Sequence, residues 1–206
     1  GANDITLTVT DVNGNVSTCI AIVTVEDNVD PVALCMSITV ELDVNGTVTI
    51  TPADIDAGSS DACGIASLEL DVDTFTCADV GENTVTLTVT DNNGNMTSCT
   101  AIVTVEDNID PELVCMDITV ELDENGEAEI VPEDVMAINT DACGILVTGI
   151  DIFQFDCDDI GTPVTVTVFS QDNNGNLSSC MAVVTVIDAL APVVTCPADI
   201  TVDPGA

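Results

Sequence analysis

The chain contains no lysine, no arginine and no histidine. Among its 206 residues there is also no tryptophan or tyrosine, and there are only four phenylalanines. Each absence excludes something. Nucleic acid and anionic lipid are held through basic side chains, so neither is a partner for this sequence. Without imidazole, amine, guanidinium or phenol there is no ordinary general base, Schiff-base nucleophile or cationic clamp for an oxyanion, and the chain reads as non-enzymatic. Adjacent carboxylates such as Asp158 with Asp159 and Glu133 with Asp134 read as solvated turns, not as a glycosidase pair. No apolar run approaches the ~20 residues of a membrane-spanning helix, so direct membrane insertion is not expected. A lysine-free chain cannot form lysine–asparagine isopeptide cross-links. An interface hot spot built on Trp, Tyr or Arg is equally missing.

What is present is acid, small β-branched residues and cysteine. Thirty-seven Asp and Glu give a formal net charge of −37, which makes a cation the natural ligand. Hydrophobic residues make up 46 % of the chain and alternate with Thr and Ser, so despite its charge the chain reads as folded. Ten cysteines at regular intervals point to disulfides in an oxidising compartment. A zinc site would call for tighter pairs than the C-x13-C and C-x15-C spacings found here.

The intervals also reveal a repeat. Cys19 to Cys99, Cys35 to Cys115, Cys63 to Cys143 and Cys77 to Cys157 are each 80 residues apart, whereas Cys99 to Cys180 and Cys115 to Cys196 are 81 apart. Comparison of residues 81–91 with 161–172 puts the extra residue near Phe169–Gln171, where it predicts a β-bulge. Boundaries fall at VEDNVDP (25–31), VEDNIDP (105–111) and VIDALAP (186–192), because a proline without an N–H suits the first residue of a new sheet. The predicted layout is the end of one repeat at 1–30, complete repeats at 31–110 and 111–191, and the first strand of another at 192–206. The chain thus reads as an internal cut from a longer array.

Alternation in repeat 31–110 predicts strands around Met36–Leu42, Val48–Ile50, Leu68–Val72, Val85–Val89 and Cys99–Val105, with a further short strand at 74–77. Turns are predicted at 43–46, 78–83 and 91–95, and the stretch 51–63 reads as a loop. Nothing shows helical periodicity. Short strands separated by Asn/Gly turns imply an all-β, immunoglobulin-like sandwich, repeated head to tail as a rod.

The stretch GENTVTLTVTDNNGNMTSCTAIVTVED (81–107), with DACG upstream and TCPADITV at 195–202, resembles the hyalin-repeat (HYR) modules of long secreted surface proteins of Bacteroidota. Its G-x-x-TVTLTVTD part is similar to PKD modules. The resemblance covers essentially the whole chain and implies a stalk or adhesion role at the cell surface, with the gliding-motility adhesins as one candidate. Family modules usually carry aromatic and basic residues, and this chain departs from them there. The shaft of an extracellular adhesin is therefore the leading reading. Its partners are neighbouring repeats and, through a distal tip, a surface glycan or protein. A glycan- or protein-binding repeat, and accessory repeats of a secreted hydrolase, are the alternatives.

In such a sandwich the first and last strands both start at the N-terminal pole. This pairs Cys35 with Cys99 and Cys115 with Cys180, and by elimination Cys63 with Cys77 and Cys143 with Cys157. The rival scheme is Cys19–Cys35, Cys99–Cys115 and Cys180–Cys196. It has to bridge about 40 Å of extended strand, beyond the reach of a disulfide.

Calcium takes six to eight oxygens, and three acidic segments are expected to converge at each N-terminal pole. At the first they are the linker (Glu26, Asp27, Asn28, Asp30), Asp61 and the turn Asp91, Asn93, Asn95. At the second they are Glu106, Asp107, Asn108, Asp110, then Asp141, then Asp172, Asn174, Asn176. Asp43, Asn45, Asp79 and Glu82 of a preceding repeat are placed to close the site. The competing reading is that DxNGN is a hairpin turn and nothing more.

Overall fold

The computed structural model describes residues 1–201; residues 202–206, which include Val202 of the TCPADITV motif and the end of the strand expected at 192–206, lie outside the described residues. The chain divides into two compact units, Gly1–Asp107 and the remainder from Asn108. Both are all-β.

The first unit opens with a hairpin of β1 (Ala2–Thr10) and β2 (Val16–Thr24). Six strands follow: β3 (Ile38–Glu41), β4 (Thr47–Thr49), β5 (Ile65–Leu70), β6 (Thr74–Thr76), β7 (Gly81–Asp91) and β8 (Met96–Glu106). One sheet has the order β3-β8-β7-β5, and β4 pairs with β6 in the second layer. The pairing of β3 with β8 is parallel. Strict alternation along β7 and β8 turns Val85, Leu87, Val89, Val103 and Val105 into a face exposed by 1 % or less. Ile50, Ile55 and the ring of Phe75 are buried with that face, as is Leu42, whose amide binds the Glu106 carbonyl at 2.9 Å and extends β3. In the β1–β2 hairpin the matching side chains Ile5, Leu7 and Val9 are all more than half exposed.

The second unit repeats the plan with β9 (Glu112–Cys115), β10 (Ile118–Glu121), β11 (Glu127–Glu129), β12 (Met136–Thr140), β13 (Ile145–Ile150), β14 (Gln154–Asp156), β15 (Val164–Asp172) and β16 (Leu177–Ile187). Its main sheet is β10-β16-β15-β13, with the parallel β10–β16 pairing again at one edge. Facing it are the pairs β11–β14 and β12–β9. Phe155 replaces Phe75 in the core.

The stretch read as a loop at 51–63 begins with a one-turn helix, α1 (Pro52–Ile55). Pro52 suits its first position, and the Asp54 carboxylate accepts the Thr51 amide at 2.7 Å. A single turn is too short to leave a helical period in the sequence.

The extra residue of the second unit is not a bulge at Phe169–Gln171. Pairing of β15 with β16 is regular from Val164–Val184 to Gln171–Leu177, and the buried Val166, Val168, Ser170 and Asp172 keep the phase of Val85, Leu87, Val89 and Asp91. The additional residue is absorbed in the turn 161–163, ahead of the ladder. Pro163 cannot donate to the sheet, so β15 starts later than β7, which is already paired at Gly81. An insertion within the strand would have turned every core side chain outward.

Disulfides join Cys35 to Cys99 and Cys115 to Cys180, with Cα separations of 5.8 and 5.7 Å. Each links the segment just ahead of the parallel edge strand, β3 or β10, to the last strand of the main sheet in chain order. Cys63 and Cys157 are free and exposed, so the short staples Cys63–Cys77 and Cys143–Cys157 do not form. The rival scheme does not form either, since Cys19 and Cys196 are also free. Position along the sandwich explains the missing staples. Cys63 precedes β5, at the end where Asn92 of the β7–β8 turn binds its carbonyl. Cys77 follows β6, beside Gly46 of the β3–β4 turn at the other end. Strands β5 and β6 run in the same sense, in different layers, so the chain never doubles back to bring the two sulfurs together. Cys157 likewise lies beside Gly126, and Cys143 beside Asn173.

Candidate functional site

The residues proposed as cation ligands fall into two groups. Those of the DxNGN turns are committed to the turn. In Asp91-Asn92-Asn93-Gly94-Asn95, Asp91 Oδ1 accepts the amides of Asn93 (2.9 Å) and Asn95 (2.8 Å), while Oδ2 accepts the Asn95 side chain at 2.8 Å. Gly94 takes a φ of +94°, open to glycine at no steric cost. Asp91 is only 1 % exposed. Burial alone pushes its carboxyl upward, but hydrogen bonds from Asn95, Asn93 and Gly94 outweigh that and hold it below its ordinary value. Asp172 is built the same way, with Asn174, Gly175 and both amides of Asn176 donating to it. The same Asx turn recurs at Asp11, Asp43 and Asp123.

The second group does converge. In the first unit the carboxylates of Asp27 and Asp61 and the Cys63 sulfur lie within 4.8 Å of one another. Local chemistry places each. Asp61 Oδ1 accepts the Cys63 amide at 2.7 Å, and Gly64 follows with φ +95°. A Cβ on Gly64 would stand 2.7 Å from the Asn92 amide nitrogen, so the DACG sequence is fitted to the turn it packs on. Asn95 reaches from the turn to the linker, its side-chain amide 3.2 Å from the carbonyls of both Asp27 and Val29. Asp27 in turn accepts the Val29 amide at 3.1 Å. A hydrogen bond to Asp27 and the charge of that carboxylate push the Cys63 thiol up, so it stays protonated.

Glu26, Asn28 and Asp30 are exposed on the linker and are not drawn into the cluster. In the other set, Asp107 is buried, Glu106, Asn108 and Asp110 are exposed, and Asp141 accepts the Cys143 amide at 2.7 Å. Cys63 was missed as a member of the cluster because its even count and spacing suggested a bond. Asn92 and Asn173 were missed as struts, although both repeats carry DNNGN and DACG together.

No protein-family model matches the chain, and no curated protein matches it. Among solved structures it is similar to human protocadherin-24 extracellular cadherin repeats 1–2 (13 % identity, 78 % of this chain, 100 % of that one, TM-score 0.40). It is also similar to mouse clustered protocadherin gamma C3 repeats 1–3 (13 %, 91 % and 77 %, 0.35) and to titin immunoglobulin domains I67–I69 (12 %, 90 % and 75 %, 0.34). The disulfides fit an oxidising, extracellular setting. No helix among the described residues is long and apolar enough to cross a membrane.

Proposed function

We propose that the chain is part of the shaft of an extracellular surface adhesin of the hyalin-repeat kind, non-enzymatic and organised as tandem repeats in a rod. The observation that carries this reading is the position of the disulfides Cys35–Cys99 and Cys115–Cys180. In the first unit Cys35 stands ahead of β3 and is bonded to Cys99 in β8, 64 residues later. Tension entering just ahead of Cys35 and leaving at the end of β8 crosses that covalent bond and bypasses residues 36–98. Cys115–Cys180 does the same in the second unit, with a separation of 65. The bond also removes loop entropy from the unfolded chain, roughly 4 kcal/mol in the entropic model. For a domain with one buried phenylalanine per core, that is a large share of its stability.

Single-molecule stretching tests the reading. The oxidised chain is expected to show no step longer than a few nanometres per unit. Reduction should release steps of roughly 20 nm per unit, the length of the shielded loop. Equal steps before and after reduction would remove the load-bearing argument.

Calcium at the pole is the finer part of this proposal. Asp27 and Asp61 supply the two converging carboxylates; Cys63, a protonated thiol, is a poor calcium ligand, and the turn residues Asp91, Asn93 and Asn95 are already engaged. The remaining oxygens would come from backbone carbonyls and water. Thermal melts in Ca²⁺ and in EDTA are expected to differ by several degrees and to converge in Asp27→Asn. Superimposable wild-type melts would leave the DxNGN segments as turn chemistry alone.

A further inference from the structure

The outer face of the main sheet differs between two units whose main sheets match strand for strand. In the first unit the middle of that face is polar: Glu69 pairs with Thr88, Ser67 with Thr90, and Thr86 with Thr100, with the apolar Met96 at the position of Leu177. At the matching positions of the second unit Gly149 pairs with Phe169, Val147 with Gln171, and Thr167 with Met181. Phe169 and Met181 are diagonal neighbours on one side of the sheet. They are 45 % and 72 % exposed, and Val147 and Leu177 beside them are 45 % and 60 % exposed. The chain has four phenylalanines, and two of them, Phe75 and Phe155, form the matched cores. Placing a third on an outer face, over a glycine, leaves an apolar strip with no partner within the unit.

Carboxylates flank the strip on both sides. Asp151, just after edge strand β13, accepts the Thr167 amide at 2.7 Å, and that bond holds its carboxyl below the ordinary range. Asp117, just before the opposite edge strand β10, accepts the Val183 amide at 2.8 Å. The first unit has Asp71 at the former place but Ser37 at the latter. Relative to its sister, the second sheet has therefore gained aromatic and thioether surface in the middle and an anchored negative charge at its edge. It has also lost the carboxylate of Glu69 from the edge strand beside the aromatic.

We infer that this face of the second unit, Val147, Phe169, Leu177 and Met181 between Asp117 and Asp151, is a docking surface for a cationic protein segment. Such a segment lays apolar side chains on the strip and sets Lys or Arg against the two flanking carboxylates. Phe and Met suit such a surface because one offers a π face to a cation and the other adapts its shape. A second copy of this chain is disfavoured, because it brings 37 more carboxylates and no basic residue to answer them.

The test uses the full chain and two synthetic peptides of equal length and charge, one alternating Lys with Val and one alternating Lys with Ser. At physiological salt the Lys–Val peptide is expected to bind saturably. Phe169→Thr with Met181→Thr, which restores the first unit's residues, should weaken it about tenfold or more. Asp117→Ser should weaken it less and flatten its salt dependence. The reciprocal graft, Glu69→Gly with Thr88→Phe and Thr100→Met, should create a second site in the first unit. Equal binding of the two peptides, or a Lys–Val affinity unmoved by the Phe169/Met181 change, would reduce the effect to general attraction by an acidic chain and overturn the proposal. Self-association abolished by Phe169→Thr with Met181→Thr would overturn it as well, by making a second copy the occupant.

Discussion

A carboxylate at the head of each DxNGN turn does the work that a buried backbone would otherwise leave undone. Asp172, fully buried, collects three backbone amides and the Asn176 side chain within 2.6–2.9 Å. Asp172→Ala is expected to destabilise the second unit by roughly 3 kcal/mol, since several donors lose their acceptor at once. The pH dependence follows from the same bonds. Burial raises the Asp172 carboxyl, but the hydrogen bonds of Asn176, Asn174 and Gly175 prevail and its folded pKa lies below the ordinary 3.8. A depressed carboxyl contributes its full stabilisation above the unfolded value and loses it as pH falls through the folded one. Asp11, Asp43, Asp91 and Asp123 are shifted the same way. The melting temperature should therefore fall as pH is lowered below about 3.8, and Asp172→Asn should shallow that fall. A melting temperature that rises on acidification through this range would contradict the assignment.

At the level of strands, β13 carries a glycine where β15 carries an aromatic. A Cβ on Gly149 would stand 2.1 Å from the Phe169 ring, so glycine here makes room for the aromatic across the ladder. Gly149→Glu, the residue of the first unit, is expected to destabilise by about 1–3 kcal/mol. Adding Phe169→Thr should recover most of that; a double variant no more stable than the single one would refute the coupling. Strands of this kind were legible because one face is buried: Val85-Thr86-Leu87-Thr88-Val89 states its own period. The long disulfides were legible once first and last strands were assigned to one pole. The parallel β3–β8 pairing, the one-turn helix at Pro52 and the location of the added residue at 161–163 were not. Each depends on which layer a segment joins, and alternation is silent about layers. Elimination misplaced Cys63 for the same reason, since its distance from Cys77 is set by β5 and β6 running the same way in different sheets. Of the proposed site, spacing found Asp27 and Asp61, but it could not see that Asp91 and Asp172 face into their own turns.

Across the whole molecule, the parallel edge strand, the hairpin and the long disulfide recur on a period of 80 residues, with the one extra residue confined to a turn. This has a genetic consequence. Two copies in register can recombine at any corresponding pair of points, and the product still contains every strand of a sandwich in order. Such a crossover changes array length without a hybrid fold to select against, provided the exchanged cores match as Ile55 matches Val135 and Phe75 matches Phe155. Deleting residues 64–143, which joins Cys63 to Gly144, mimics one crossover. The shortened chain is expected to melt cooperatively and to bond Cys35 to Cys180. A product with no cooperative transition would mean that the two copies have drifted too far to exchange halves. A cooperative product, in contrast, makes repeat number a heritable variable, open to change in steps of one 80-residue copy while every sandwich stays intact.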